Sequence, residues 1–98
     1  MPIFVMLTRL SPQAATDARA LEELERGVAE KIASKCPEIR WKSNYALLGR
    51  HDYLDIFEAP DIETASKVAA LTSTGGHAHT EIWPAVPWDD FKSMIRAL

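Results

Sequence analysis

The sequence has a single cysteine, no long apolar run and no excess of positive charge. With only Cys36 there can be no internal disulfide, so we expect a cytoplasmic location. No apolar stretch approaches the roughly 20 residues of a membrane-spanning helix, and we expect no membrane partner. A formal net charge of -3 argues against nucleic-acid binding, which requires a broad basic surface.

The remaining composition is that of an ordinary globular protein, with 47% hydrophobic and 26% charged residues. A chain of 98 residues is too short for two hydrophobic cores, so we expect residues 1–98 to form one domain. The first ten residues, MPIFVMLTRL, have no basic segment before an apolar one and alternate like a strand. We therefore expect a strand there, and no signal peptide.

Segments with a period of two predict four strands, at residues 2–9, 39–48, 52–58 and 77–85. Between the second and third, the reversal contains Gly49, and we expect Asp52 to accept backbone amides that hold this turn.

Helical spacing of apolar residues predicts the other elements. The first helix, with Leu21, Leu24, Val28 and Ile32 on one side, should begin near Asp17 and end before Pro37. A second helix should open at Pro60-Asp61 and stop at Gly75-Gly76, and a short third one should follow Pro87. The order β-α-β-β-α-β-α predicts an α+β, ferredoxin-like fold with an added C-terminal helix.

Two helices on one side of a four-stranded sheet leave its other face open. Alternation along the first strand predicts that Ile3, Val5 and Leu7 face the helices, while Phe4 and Met6 point to the open face. The residues expected to share that open face are mostly aromatic: Trp41, Tyr45, Tyr53, Phe57 and Trp83. Because large exposed apolar faces mark interaction surfaces, we expect at least a homodimer, with two sheets packed into a dimeric α+β barrel.

A group of polar residues also falls on the strands. We expect five of them to line one polar-aromatic site on the open face: Asp55, His79, Glu81, Tyr45 and Tyr53. A desolvated carboxylate there must be paired, hydrogen-bonded or neutral, and it could orient a polar ligand or act as a general base. The alternative is an interface salt bridge from Asp55 or Glu81 to Arg9, Lys42 or His79.

His77, His79 and Glu81 alternate along the fourth strand, so they could project together toward a divalent metal ion. The competing interpretation, which we prefer, is a hydrogen-bonded network of these side chains. We therefore predict no metal and no cofactor.

The block LLGRHDYLDIFEAPD, with Thr80-Glu81 further on, resembles the GYD-domain family over nearly the whole chain. The matching residues are Gly49, Asp52, Glu58, Ala59, Pro60, Asp61, Thr80 and Glu81. The tyrosine that names the family is replaced by His51, so no role of its hydroxyl carries over. The resemblance implies a ferredoxin-like, dimer-forming fold without a settled activity. A more distant similarity, through the Gly-x-x-Asp turn, is to the ligand-sensing domain of leucine-responsive-type regulators.

Three functions are open at this point. The first is a small-molecule-binding or regulatory homo-oligomer with its site on the open face. The second is a cofactor-independent barrel-type enzyme, an isomerase or monooxygenase, in which Asp55, His79 or Glu81 acts as base. The third is a purely structural oligomer. A water-accessible cavity favours the first two, and a dry, packed interface favours the third.

Overall fold

The helices and strands follow one another in the predicted order. The structure is a computed structural model that describes residues 1–13, 17–73 and 76–98. Its elements are β1 (Ile3–Leu10), α1 (Ala18–Lys35), β2 (Arg40–Ala46), β3 (Tyr53–Glu58), α2 (Ile62–Ser73), β4 (Ala78–Ala85) and α3 (Trp88–Arg96). The sheet order is β2-β3-β1-β4 and all neighbours are antiparallel, which confirms the ferredoxin-like arrangement.

Carboxylates start the two long helices. Asp17 Oδ1 accepts a hydrogen bond from the Ala20 amide at 2.7 Å, as the sequence predicts. Asp61 Oδ1 accepts one from the Thr64 amide, also at 2.7 Å, and this hydrogen bond holds the pKa of Asp61 below its usual value. Gly75, one of the two glycines predicted to end the second helix, lies outside the described residues.

The hydrophobic core lies between the helices and one face of the sheet. Phe4 and Phe57 stack at 5.9 Å between ring centroids, and Phe57, Ala65 and Val68 are fully buried beneath and within α2. Cys36, at the end of α1, is 2% exposed and packs in the same cluster as a small apolar residue. Burying a large side chain such as Phe57 contributes about 1.5–3 kcal/mol.

The prediction of which residues face the helices is wrong for β1 and for β3, since Tyr53, Asp55 and Phe57 all pair with inward residues of β1. Phe4 and Met6 are 3% and 2% exposed and lie in the helix-side core, whereas Ile3 and Val5 belong to the open face. Because β1 carries large apolar residues at both parities, alternation alone does not say which set meets the helices. Phe4 pairs with Phe57, so Phe57 and its face of β3 turn inward too.

The open face and α3 expose apolar side chains to solvent. The open face has the partly buried Val5 and Ile56 beside Trp83, which is 53% exposed. None of the α3 residues is buried, and α3 makes no extensive contact with another element of the described chain. The radius of gyration of 14.8 Å exceeds the roughly 13 Å of a compact chain of this length.

Asp52 joins the β2–β3 hairpin to the end of β1. Its Oδ2 accepts a hydrogen bond from the Leu10 amide at 2.7 Å, and its own amide donates to the Thr8 carbonyl at 2.8 Å. The Leu47 amide donates to the Asp52 carbonyl and closes the loop, in which Gly49 has a φ of +157° that L side chains rarely adopt. The Asp52 carboxylate thus accepts a backbone amide of β1 rather than one of the turn, while the Asp52 carbonyl accepts the amide that closes the loop.

We predict that Asp52→Ala lowers the free energy of unfolding by about 1–3 kcal/mol, because the Leu10 amide loses its acceptor in a partly buried place. Asp52→Asn is the control, since it keeps an oxygen that can accept the same bond. Urea denaturation measures both. Equal stability of the alanine variant and the natural chain would show that this bond does not hold the hairpin to β1.

Candidate functional site

A cavity of about 510 Å³ lies between α1 and the inner face of the sheet. Its α1 wall is mostly apolar and consists of Leu21, Leu24, Glu25, Val28, Ala29 and Ile32. The opposite wall comes from the strands and includes Met6, Thr8, Leu10, Trp41, Asn44, Tyr45, Ala46, Tyr53 and Asp55. Thr72 of α2, together with His77 and Ala78, completes the lining. The cavity therefore combines an apolar helix wall with a sheet wall that carries the polar groups.

A β-bulge brings Asn44 opposite Asp55. The register of β2 against β3 shifts between Trp41 and Ser43, so that Trp41 still pairs with Phe57 while Asn44 pairs with Asp55. Asn44 Nδ2 donates to Asp55 Oδ1 at 2.6 Å. Bulges of this kind re-aim side chains, and they are frequent beside binding and active sites. Here the bulge supplies an amide partner for a carboxylate on the inner face.

Thr8 supplies the second polar group of the sheet wall. Thr8 is only 2% exposed, and its Oγ1 has no hydrogen-bond partner among the described residues. A buried hydroxyl without a partner costs about 1–3 kcal/mol, so native proteins rarely keep one without a reason. Thr8 borders the cavity, but its Oγ1 is itself enclosed by the surrounding chain.

Burial raises the pKa of two acidic groups at this wall. Desolvation raises the pKa of Asp55, with a further rise from the negative charge of Glu25, while the hydrogen bond from Asn44 acts in the opposite direction. Desolvation also raises the pKa of Tyr53, and the carboxylates of Asp52, Glu25 and Asp55 add to that rise. The sheet wall is therefore a place of negative potential.

The five predicted site residues do not share one face. Asp55, Tyr53 and Tyr45 border the cavity, where Tyr45 is a half-exposed residue of the edge strand. His79 and Glu81 pair with Arg9 and Leu7 and therefore lie on the open face. The expected single site on the open face is wrong, because the inner face of β3 carries Asp55 whereas Glu81 belongs to the outer face of β4. Because of the bulge, Trp41 and Tyr45 also lie on opposite faces: Trp41 pairs with the inward Phe57, whereas Tyr45 pairs with Leu54 of the open face.

Glu81 has a different partner from those expected, and the alternative of a metal site is not supported. Glu81 Oε2 lies 3.4 Å from His51 Nε2, a contact that is an ion pair when His51 is protonated. His77 precedes β4 and lines the cavity, so it lies apart from Glu81 on the other face. Within the described parts of the chain, no group of three or more His, Cys, Asp or Glu side chains could hold a metal ion. The alternative of a His77, His79 and Glu81 metal set therefore has no structural support.

Sequence reasoning missed Thr8, Asn44 and Glu25. Thr8 and Asn44 are polar residues in the middle of strands, which was a usable signal. Asn44 reaches the inner face only because of the bulge, which alternation does not reveal. Glu25 is an exposed acid of α1, and helical spacing alone does not reveal that it lines the cavity.

Comparison with solved structures finds the same α+β fold in several proteins. TTHA0845 of Thermus thermophilus is 20% identical, with 89% of this chain and 95% of that chain covered and a TM-score of 0.57. FFRP-DM1 is 19% identical, with coverage of 88% and 100% and a TM-score of 0.52. Muconolactone isomerase is 13% identical, with coverage of 87% and 88% and a TM-score of 0.58. At these identities the likeness shows the fold alone.

The family is shown by the sequence itself. Residues 4–95 match the GYD domain, so the chain belongs to the GYD domain family. No curated protein matches the sequence significantly. In the described ranges, none of the helices has the length and apolar character needed to cross a membrane.

We predict that Asp55→Asn stabilises the protein at neutral pH. The folded state raises the pKa of Asp55 from 3.8, so the ionised carboxylate opposes folding. This cost is present above the folded pKa and is gone below 3.8, so the advantage of the variant should disappear as the pH falls through that range. Thermal unfolding between neutral and acidic pH measures it.

Asp61→Ala is the control of opposite sign. The folded state lowers the pKa of Asp61, so its ionised form stabilises the protein above 3.8, and this contribution is lost as the pH falls below it. The alanine variant should be destabilised at neutral pH. If both variants lose stability at neutral pH, the assignment of Asp55 as a destabilising, desolvated carboxylate is wrong.

Proposed function

We propose that the protein binds a small, largely apolar molecule in the cavity between α1 and the sheet. The observation that carries this proposal is the apolar cleft of about 510 Å³ under α1, whose sheet wall holds Asp55 with one carboxylate oxygen hydrogen-bonded to Asn44.

The size and lining of the cavity support the proposal. Ligand pockets usually have volumes of about 300–1,000 Å³ and apolar walls with a few placed polar groups. The cavity has about 510 Å³, an aliphatic wall from α1, and polar groups at Thr8, Asn44 and Asp55.

We also propose that two copies associate through the open faces of their sheets. Val5, Ile56 and Trp83 form an apolar surface there, and α3 presents a further one with Trp88 and Phe91. Both surfaces lack a partner in the described chain. We take residues 1–98 as one cytoplasmic domain of this dimer, in keeping with the unpaired, buried Cys36.

A second candidate is a cofactor-independent enzyme with Asp55 as general base. The observation in its favour is the raised pKa of Asp55, because a general base works best when its pKa is closer to the operating pH. Mass spectrometry of a bound compound before and after incubation separates the two functions. A binding protein leaves the compound unchanged, whereas an enzyme converts it and Asp55→Asn stops the conversion.

We predict that Ala29→Trp blocks ligand binding, because residue 29 lines the cavity and the indole would occupy it. Ala33→Trp is the matched control, since residue 33 is an exposed alanine of the same helix outside the cavity lining. Native mass spectrometry of protein purified from cells should show a bound compound in the natural chain and in the Ala33 variant. Equal amounts of compound in the Ala29 variant would contradict the assignment of the site.

We predict that Ile56→Asp converts the dimer to a monomer, because it places a charge in the proposed interface. Ile62→Asp is the control, since Ile62 is a 62% exposed residue of α2 on the helical side. Light scattering should give about twice the chain mass of 10.9 kDa for the control and the chain mass itself for the Ile56 variant. A natural chain that scatters as a monomer at micromolar concentration would contradict the proposal.

A further inference from the structure

α3 is an amphipathic helix whose apolar side is exposed. Its apolar residues recur at helical spacing, and each is at least 40% exposed: Trp88, Phe91, Met94 and Ile95. Trp88 and Phe91 stack on each other, with 5.7 Å between their ring centroids. The same spacing places the charged Asp89, Lys92 and Arg96 on the other side of the helix. α3 therefore presents one continuous apolar strip to solvent.

A helix as short as α3 needs a surface to pack against. It has nine residues, whereas isolated helices shorter than about 12–15 residues are marginal in water and depend on packing of their apolar side. Its N-cap residue, Pro87, gives the free amides of the first turn no side-chain acceptor. No element of the described chain makes an extensive contact with α3. Its helical form therefore calls for a contact with another molecule.

The position of α3 in the fold indicates where that contact lies. β4 ends at Ala85, which pairs with Ile3 at the start of β1. The three steps from Ala85 to Trp88 span at most about 11 Å, so α3 begins at the rim of the sheet, close to Trp83 of the open face. The exposed Val86 lies between the two apolar surfaces along the chain. A molecule that covers the open face therefore also comes close to the start of α3.

We infer that α3 packs against the second subunit, at the rim of the dimer in which the open faces of two sheets meet. This inference rests on the proposed dimer and adds α3 to its interface. Packed sheets lie roughly 10 Å apart, and a nine-residue helix is about 14 Å long, so α3 is long enough to reach the partner from the rim. A two-fold axis makes this contact twice and covers both helices.

The charges of α3 favour a protein partner over a membrane. Amphipathic helices that lie on membranes carry many Lys and Arg residues on their polar side, which anionic lipids attract. In α3, Lys92 and Arg96 are balanced by Asp89 and Asp90, and Lys92 Nζ lies 3.3 Å from Asp89 Oδ1. The polar side therefore has no excess positive charge for a lipid surface.

A charge on the apolar side of α3 tests the inference. Phe91→Glu should weaken dimerisation at least about tenfold, because a carboxylate would be desolvated in the contact. Ser93→Glu is the matched control, since it adds the same charge on the other side of the helix, three residues before Arg96. It should change the dimer affinity by less than about twofold. Analytical ultracentrifugation over a range of protein concentrations measures the dissociation constants.

Photochemical crosslinking tests whether the contact joins two chains. With p-benzoylphenylalanine in place of Phe91, illumination should give a species of about twice the chain mass of 10.9 kDa on a denaturing gel. The same reagent in place of Ser93 should give little of this species, because residue 93 lies on the other side of the helix.

The outcomes separate this inference from the proposed dimer. If the natural chain is dimeric and Phe91→Glu dimerises as tightly as Ser93→Glu, the open faces suffice and the inference about α3 is wrong. A crosslink from residue 91 that forms only within one chain, or only to phosphatidylglycerol vesicles, also overturns it. If the natural chain stays monomeric at micromolar concentration, the proposed dimer fails along with it.

Discussion

The face that β1 turns toward the helices determines the rest of this molecule. β1 is one of the two central strands, paired with β3 on one side and β4 on the other, so its register assigns the neighbouring residues of both strands to a face. With Phe4 and Met6 inward, Asp55 of β3 faces α1, and Glu81 of β4 faces away from it. Thr8 continues the inward series and becomes a buried hydroxyl at the cavity wall.

The order of the helices and strands could be predicted from the sequence, but which residues of each strand point toward the helices could not. Alternation, the capping carboxylate Asp17 and the Pro60-Asp61 helix start indicate where strands and helices begin, to within a few residues. They do not distinguish Ile3, Val5 and Leu7 from Phe4 and Met6 as the core set, because both sets are apolar. The bulge before Ser43 is a second unpredicted feature, and it changes the parity of β2 part-way along the strand.

The candidate site was accordingly half predictable. Asp55 and Tyr53 were recognisable as polar groups in a strand, yet their partners Asn44, Thr8 and Glu25 depend on the face assignment and on the packing of α1. The resulting wall costs the fold stability, because it buries an unpaired hydroxyl and desolvates a carboxylate. Such costs are typical of functional sites, where residues that are unfavourable for stability are kept for binding.

The most direct test of the central claim is to map where a ligand binds on the protein. Nuclear magnetic resonance of the ¹⁵N-labelled protein, recorded with and without the compound that copurifies with it, reports each backbone amide separately. The account predicts that the perturbed amides cluster at Thr8, Asn44 and Asp55, on the inner face under α1. Perturbations centred instead on Glu81 and Trp83, with none on the inner face, would place the site on the open face and contradict the account.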